Sequence, residues 1–156
     1  MLNGGRDGST RRLRPNHAVR SRQSAAWRIP SVLRCGGMIL ALKLALWIYG
    51  FRRVVQWIRR RVESVPPAAW LATDAVKATE RAVATAGALY PGRALCLEQS
   101  LILYYLLRRR GVAVSYCHGV QPQPFEAHAW LEYRGEAIND VPEHVRRFAR
   151  LPDLLP

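Results

Sequence analysis

The sequence predicts an α+β domain in which helices come first and a small antiparallel sheet follows. Three observations carry this. Helical periodicity fills much of residues 35–110, short β-rich runs bounded by Gly and Pro fill residues 112–140, and the two do not alternate as βαβ units would. The chain of 156 residues is enough for one modest domain plus an extension, and its 49% apolar composition allows a core.

Residues 1–26 form a basic, Gly/Ser/Arg-rich tail without periodicity, expected to be disordered. Residues 27–65 are an apolar and basic helical segment, with CGGMILALKLALWIYGFRRVVQWI as the most hydrophobic stretch of the chain. Its uninterrupted part, Met38 to Phe51, contains Lys43 and Gly50 and is too short and charged for a bilayer span, which needs about 20 apolar residues. One helix, or two with a break near Gly50, is expected to pack on the domain or dock a partner. The alternative is membrane-surface contact through residues 38–61, where Arg52, Arg53, Arg59, Arg60 and Arg61 flank Trp47 and Trp57.

Pro66-Pro67 punctuates the chain and opens the expected catalytic core at 66–156. From Ala68 to Ala86, Leu71, Ala75, Ala78, Ala82 and Ala86 make one helical stripe, closed by Tyr90-Pro91-Gly92. The next helix, from about Ala94 to Arg110, is apolar nearly all round, which predicts burial. Arg108, Arg109 and Arg110 suit its negative end, and Gly111 suits the left-handed position after it. Val112 to Val120 reads as a strand and Gln121-Pro122-Gln123-Pro124 as a loop. Ala127 to Glu132 and Glu136 to Asp140 then form a hairpin. With Tyr133-Arg134-Gly135 as a three-residue loop, Glu132 faces Glu136 and His128 faces Asp140 on one side of the sheet.

The candidate chemistry is a Cys, His, Asp series. Cys96 stands in the first turn of the buried helix, where the macrodipole and free N–H groups favour the reactive thiolate form. His128 lies in AHAWLEY and Asp140 ends EAIND, so the carboxylate can fix the tautomer of the imidazole. The backbone N–H of Cys96 is a natural oxyanion donor. Each residue alone has an ordinary structural role open to it, but together the three define an acyl-transfer site. Cys117 and His118 are adjacent on a strand and point to opposite faces, and Cys35 has no base nearby in sequence. Three cysteines without short pairs fit neither a disulfide framework nor a zinc cage. No cofactor or metal is expected, and the setting is a reducing cytoplasm.

The net charge of +13 resembles a nucleic-acid signature until it is located. Residues 1–61 contain fourteen of the 24 basic side chains against a single acid, Asp7, and the rest of the chain contains ten of each sign. The catalytic half is therefore neutral and has no electrostatic footprint for nucleic acid.

The motifs PGRALCLEQSLILYYLLRRRG, GVQPQPFEAHAWLEY and GEAIND resemble the transglutaminase-like cysteine proteases that act as leader peptidases in lasso-peptide biosynthesis. The likeness runs from about Ala82 to Asp140. It implies a papain/transglutaminase-like core and puts the family's catalytic residues on Cys96, His128 and Asp140. It also implies that the chain cleaves the leader from a ribosomally made precursor peptide, whose core is then closed by a separate ATP-dependent lasso cyclase. No β-rich recognition module fits before residue 66, so the resemblance is to the stand-alone form that works with a separate leader-recognition protein. Residues 35–61 are then a candidate docking element. Two other functions compete: a transglutaminase-type amine acyltransferase, and a non-enzymatic basic protein that binds a membrane surface or nucleic acid.

Overall fold

The computed structural model describes residues 30–66, 73–92 and 96–155. The basic tail at 1–26, Leu71 of the Ala-rich stripe and Ala94 at the expected helix start lie outside the described residues. Helix α1 runs Val32–Glu63, with the Ser31 hydroxyl accepting from the Arg34 amide at 3.2 Å as its N-cap. The helix is interrupted at Gly50 (φ 74°, ψ 162°), the expected break. Cys35 and Ile39 are buried before it, and Val54, Val55, Ile58 and Val62 after it. Helix α2 spans Thr73–Leu89 and buries Val76, Thr79, Ala82, Val83 and Ala86.

Helix α3, Cys96–Arg108, buries nearly every residue from Ser100 to Leu107. A helix apolar on all sides has to be covered on all sides. Here α1 and α2 cover part of it and the sheet covers the rest. Gly111 (φ 77°) takes the left-handed position after α3, and the Val112 amide donates back to the Leu107 carbonyl at 3.0 Å. Trp57 of α1 stacks on Tyr105 of α3 at 5.9 Å, and Lys43 of α1 pairs with Glu98 of α3 at 2.9 Å.

The sheet contains β1 (Val114–Pro122), β2 (Phe125–Tyr133), β3 (Glu136–Ala137) and β4 (Ala149–Arg150) in the order β3-β2-β1-β4, with every pair antiparallel. A short helix, α4 (Pro142–Val145), lies between β3 and β4. In β1 and β2, Tyr116 faces Leu131 and Cys117 faces Trp130. Val114, Tyr116, Ala129, Leu131 and Tyr133 join the core around α3, whereas Cys117, Trp130 and Phe148 form a second cluster on the other face.

Three details differ from expectation. The first hairpin is tighter, because Gln121 and Pro122 belong to β1 and Phe125 to β2, which leaves a two-residue turn at Gln123-Pro124. The second hairpin turns on Arg134-Gly135, not on three residues: Glu132 faces Ala137 and Tyr133 faces Glu136. Arg134 (φ 56°) and Gly135 (φ 81°) both take positive φ, the type I′ geometry whose twist suits paired strands. The third difference is that β3 ends at Ala137 and only the Ile138 amide still bonds to β2, so residues 139–140 are free to leave the ladder.

A side chain at Gly50 would meet nothing within 4 Å, so its substitution cost is conformational. Positive φ with extended ψ is almost restricted to glycine, and Gly50→Ala is expected to destabilise the fold by about 1–3 kcal/mol in urea unfolding. An unchanged unfolding midpoint would show that α1 straightens freely.

Candidate active site

Asp140 is the centre of the site. Its Oδ2 contacts His128 Nε2 and lies 2.7 Å from His144 Nδ1, and its Oδ1 accepts from the Val141 amide at 2.7 Å. The His–Asp pair expected from the sequence is therefore present, but by a different route. Ile138 makes the last ladder bond, its amide donating to the Leu131 carbonyl at 3.0 Å. The chain then turns off the sheet edge and brings the Asp140 carboxylate to His128. Burial pushes the Asp140 pKa up, but the His144 hydrogen bond, the Val141 amide and His128 outweigh it, so it lies below its ordinary value.

His128 is enclosed by rings. It stacks on Trp130 at 6.1 Å and 13°, meets Phe148 at 5.0 Å and packs edge-on to His144 at 4.8 Å. Gly119, opposite His128 on β1, makes room for this: a Cβ there would stand 2.7 Å from the Ala149 carbonyl oxygen and 3.0 Å from Phe148 Cβ. Trp130 is fixed in turn by Nε1 donating to Glu132 Oε1 at 3.1 Å, and Arg150 Nη1 donates to Glu132 Oε2 at 3.1 Å. With Nε2–H directed at Asp140, Nδ1 is the ring nitrogen left for a reacting group.

Cys96 opens α3 and is partly exposed. Among the described residues no hydrogen bond joins it to His128 or Asp140. The body of α3 lies on the sheet face that carries Ala129 and Leu131, whereas His128 shares the opposite face with Trp130. The His–Asp pair is thus assembled on the sheet, and Cys96 stands at the start of the helix that packs against it. The other two thiols are fully buried; burial raises the pKa of Cys35 and pushes Cys117 up to about 12. His118 stacks on Tyr116, on the other face of β1 from Cys117, and burial lowers its pKa.

Three residues at the site were not singled out by sequence. His144 reaches Asp140 from α4, four residues on, a spacing that α4 makes meaningful. Asn139 and Ser100 hydrogen bond across the edge of β2. One nitrogen each from His128 and His144 and one Asp140 oxygen lie within 4.8 Å of one another, which is a possible ligand set for a metal ion. Both nitrogens are already directed at the carboxylate.

A folded-state thiol reagent is expected to label Cys96 and to spare Cys35 and Cys117, because those two are buried and protonated. Labelling of Cys117 in the native protein would contradict the packing around Trp130. Because the Asp140 pKa is depressed, its contribution to stability is present above the ordinary carboxylate value of 3.8 and is lost as pH falls through the lower native value. The stability gap between wild type and Asp140→Ala should therefore be full at neutral pH and close in strong acid. A gap that is independent of pH would mean that the carboxylate is not held as a charge.

The transglutaminase-like superfamily model matches residues 38–153. Over 47 residues the chain is 40% identical to the microcin J25-processing protein McjB of Escherichia coli, a stretch covering 30% of this chain and 23% of that protein. No solved structure gives a significant match. The family match begins inside α1 and takes in α2, α3 and the whole sheet. The chain belongs to the transglutaminase-like superfamily.

Proposed function

We propose that the chain is a cysteine peptidase that removes the leader from a ribosomally made lasso-peptide precursor. One observation supports this most: Asp140 fixes His128 through Nε2, at the edge of the strand against which the helix of Cys96 packs. Membership of the superfamily supports acyl-transfer chemistry, and the similarity to a microcin J25-processing protein supports the substrate class.

The Cys96 thiolate and the free side of the His128 ring act on one scissile bond, and their hydrogen bonding tightens in the substrate complex. The thiolate attacks the scissile carbonyl while the Cys96 backbone N–H receives the oxyanion. The C–N bond breaks, and His128 Nδ1 gives its proton to the departing amine. Water, deprotonated by Nδ1, then hydrolyses the thioester and restores the thiol. Asp140 orients the ring and stabilises its cationic form throughout. A separate leader-recognition protein presents the precursor, and an ATP-dependent cyclase closes the freed core in a cytoplasmic pathway.

Cys96→Ala should abolish precursor cleavage and leave the fold intact, while Cys35→Ala and Cys117→Ala remain active if they fold. Asp140→Asn should keep residual turnover, because an amide still orients an imidazole, and His128→Ala should keep essentially none. Normal cleavage by Cys96→Ala would overturn the mechanism. Mass spectrometry of the product with an added amine decides the acceptor: hydrolysis supports the peptidase, and amide formation supports an amine acyltransferase.

A further inference from the structure

We propose that Asn139 is a positioning residue that locks the helix of Cys96 to the strand of His128. The proposal rests on the reading of Cys96, His128 and Asp140 as an acyl-transfer site. Asn139 Oδ1 accepts from the Leu131 amide at 2.7 Å, and its Nδ2 donates to Ser100 Oγ at 2.8 Å. Ser100, fully buried, passes its own proton to the Ala129 carbonyl at 2.9 Å. Donors and acceptors therefore run in one direction, and each has a partner.

The position of this link matters more than its strength. Ser100 is one helical turn beyond Cys96 on α3. Ala129 follows His128 on β2, and Asn139 precedes Asp140. A single carboxamide thus ties the three elements that carry the three candidate groups. Successive residues of an extended chain point to opposite sides. Asn139 reaches Ser100 on α3, and Asp140 reaches His128 on the other face. The segment clamps the edge of β2 from both sides. The β3 ladder ends at Ala137, so a backbone partner for Leu131 is replaced by a side chain, and the backbone is free to turn toward His128.

Asparagine meets these demands because it offers an acceptor and a donor in one plane. Asn139→Asp retains the acceptor for Leu131 and loses the donor for Ser100. Ser100→Ala retains the Leu131 bond and removes the link to the helix. Val83→Ala, a cavity in α2 that touches none of the clamp's hydrogen bonds, is the control for loss of stability alone.

The test is the rate of Cys96 alkylation by iodoacetamide at about pH 6 and about pH 9, with precursor cleavage and melting temperature measured on the same proteins. A misplacement of about 1 Å can cost about 100-fold in rate. Asn139→Ala is expected to lower kcat for cleavage by that order with KM little changed. It should also slow alkylation about tenfold near pH 6, where the imidazole assists, and leave it unchanged near pH 9. Asn139→Asp and Ser100→Ala should fall in between, and Val83→Ala should match wild type at both pH values despite a lower melting temperature. Should Asn139→Ala not fold, the other two clamp variants decide the matter. Folded clamp variants that behave like Val83→Ala would overturn the proposal. If wild type cleaves no precursor but the alkylation pattern holds, the peptidase reading fails and the clamp stands.

Discussion

The burial of α3 is the constraint on which the rest of the domain depends. From Ser100 to Leu107 this helix has almost no side to spare for water. Two helices and a sheet have to close around it, and the chain provides them in sequence order. Once α3 is enclosed, its C-terminal end is fixed by the return into β1, and its first turn, with Cys96, is held one turn from the Ser100–Ala129 bond to β2. The position of the candidate nucleophile is thus a by-product of covering an apolar helix. It needs no dedicated loop.

The second level of organisation is electrostatic and local. Asp140 receives two imidazoles and one amide, and these donors keep it charged in a half-buried place. The same bonds leave His128 only one orientation, because Trp130, Phe148 and His144 close the space around its ring. Gly119 contributes by its missing side chain, since any Cβ there would push Phe148 away from the imidazole. An imidazole held this firmly, with one nitrogen committed to a carboxylate, is built to move a proton at the other nitrogen.

Much of this was legible in the sequence. The all-round apolar pattern of α3, the Arg-rich end with Gly111 and the break at Gly50 follow from local rules, and the α+β class follows from their order. Cys96 at a helix start and His128 beside Asp140 were also readable. The register was not. A glycine at 135 fits both a three-residue loop and a type I′ turn, and the second also takes a positive φ at Arg134, which nothing in the local sequence announces. The longer loop gave the right His–Asp pair for the wrong reason, because the pair forms by departure from the ladder after Ala137. Asn139 and Ser100 gave no signal, since their meaning lies in a contact 39 residues apart in sequence. His144 gave none until α4 placed it one turn from Asp140.

The basic arm also changes meaning once folded. Its apolar segment was expected to pack on the domain or dock a partner, and Cys35, Ile39, Val54 and Val62 belong to the same core as α3. Lys43, which interrupts the apolar run in sequence, is the counter-charge for the buried Glu98, two residues from Cys96. A buried carboxylate deprived of its partner is costly, so α1 cannot leave without disturbing the first turn of α3. The face of α1 that does remain open carries Leu33, Leu40, Leu44 and Trp47. Anything that engages this face acts on a helix joined directly to the one that carries the candidate nucleophile.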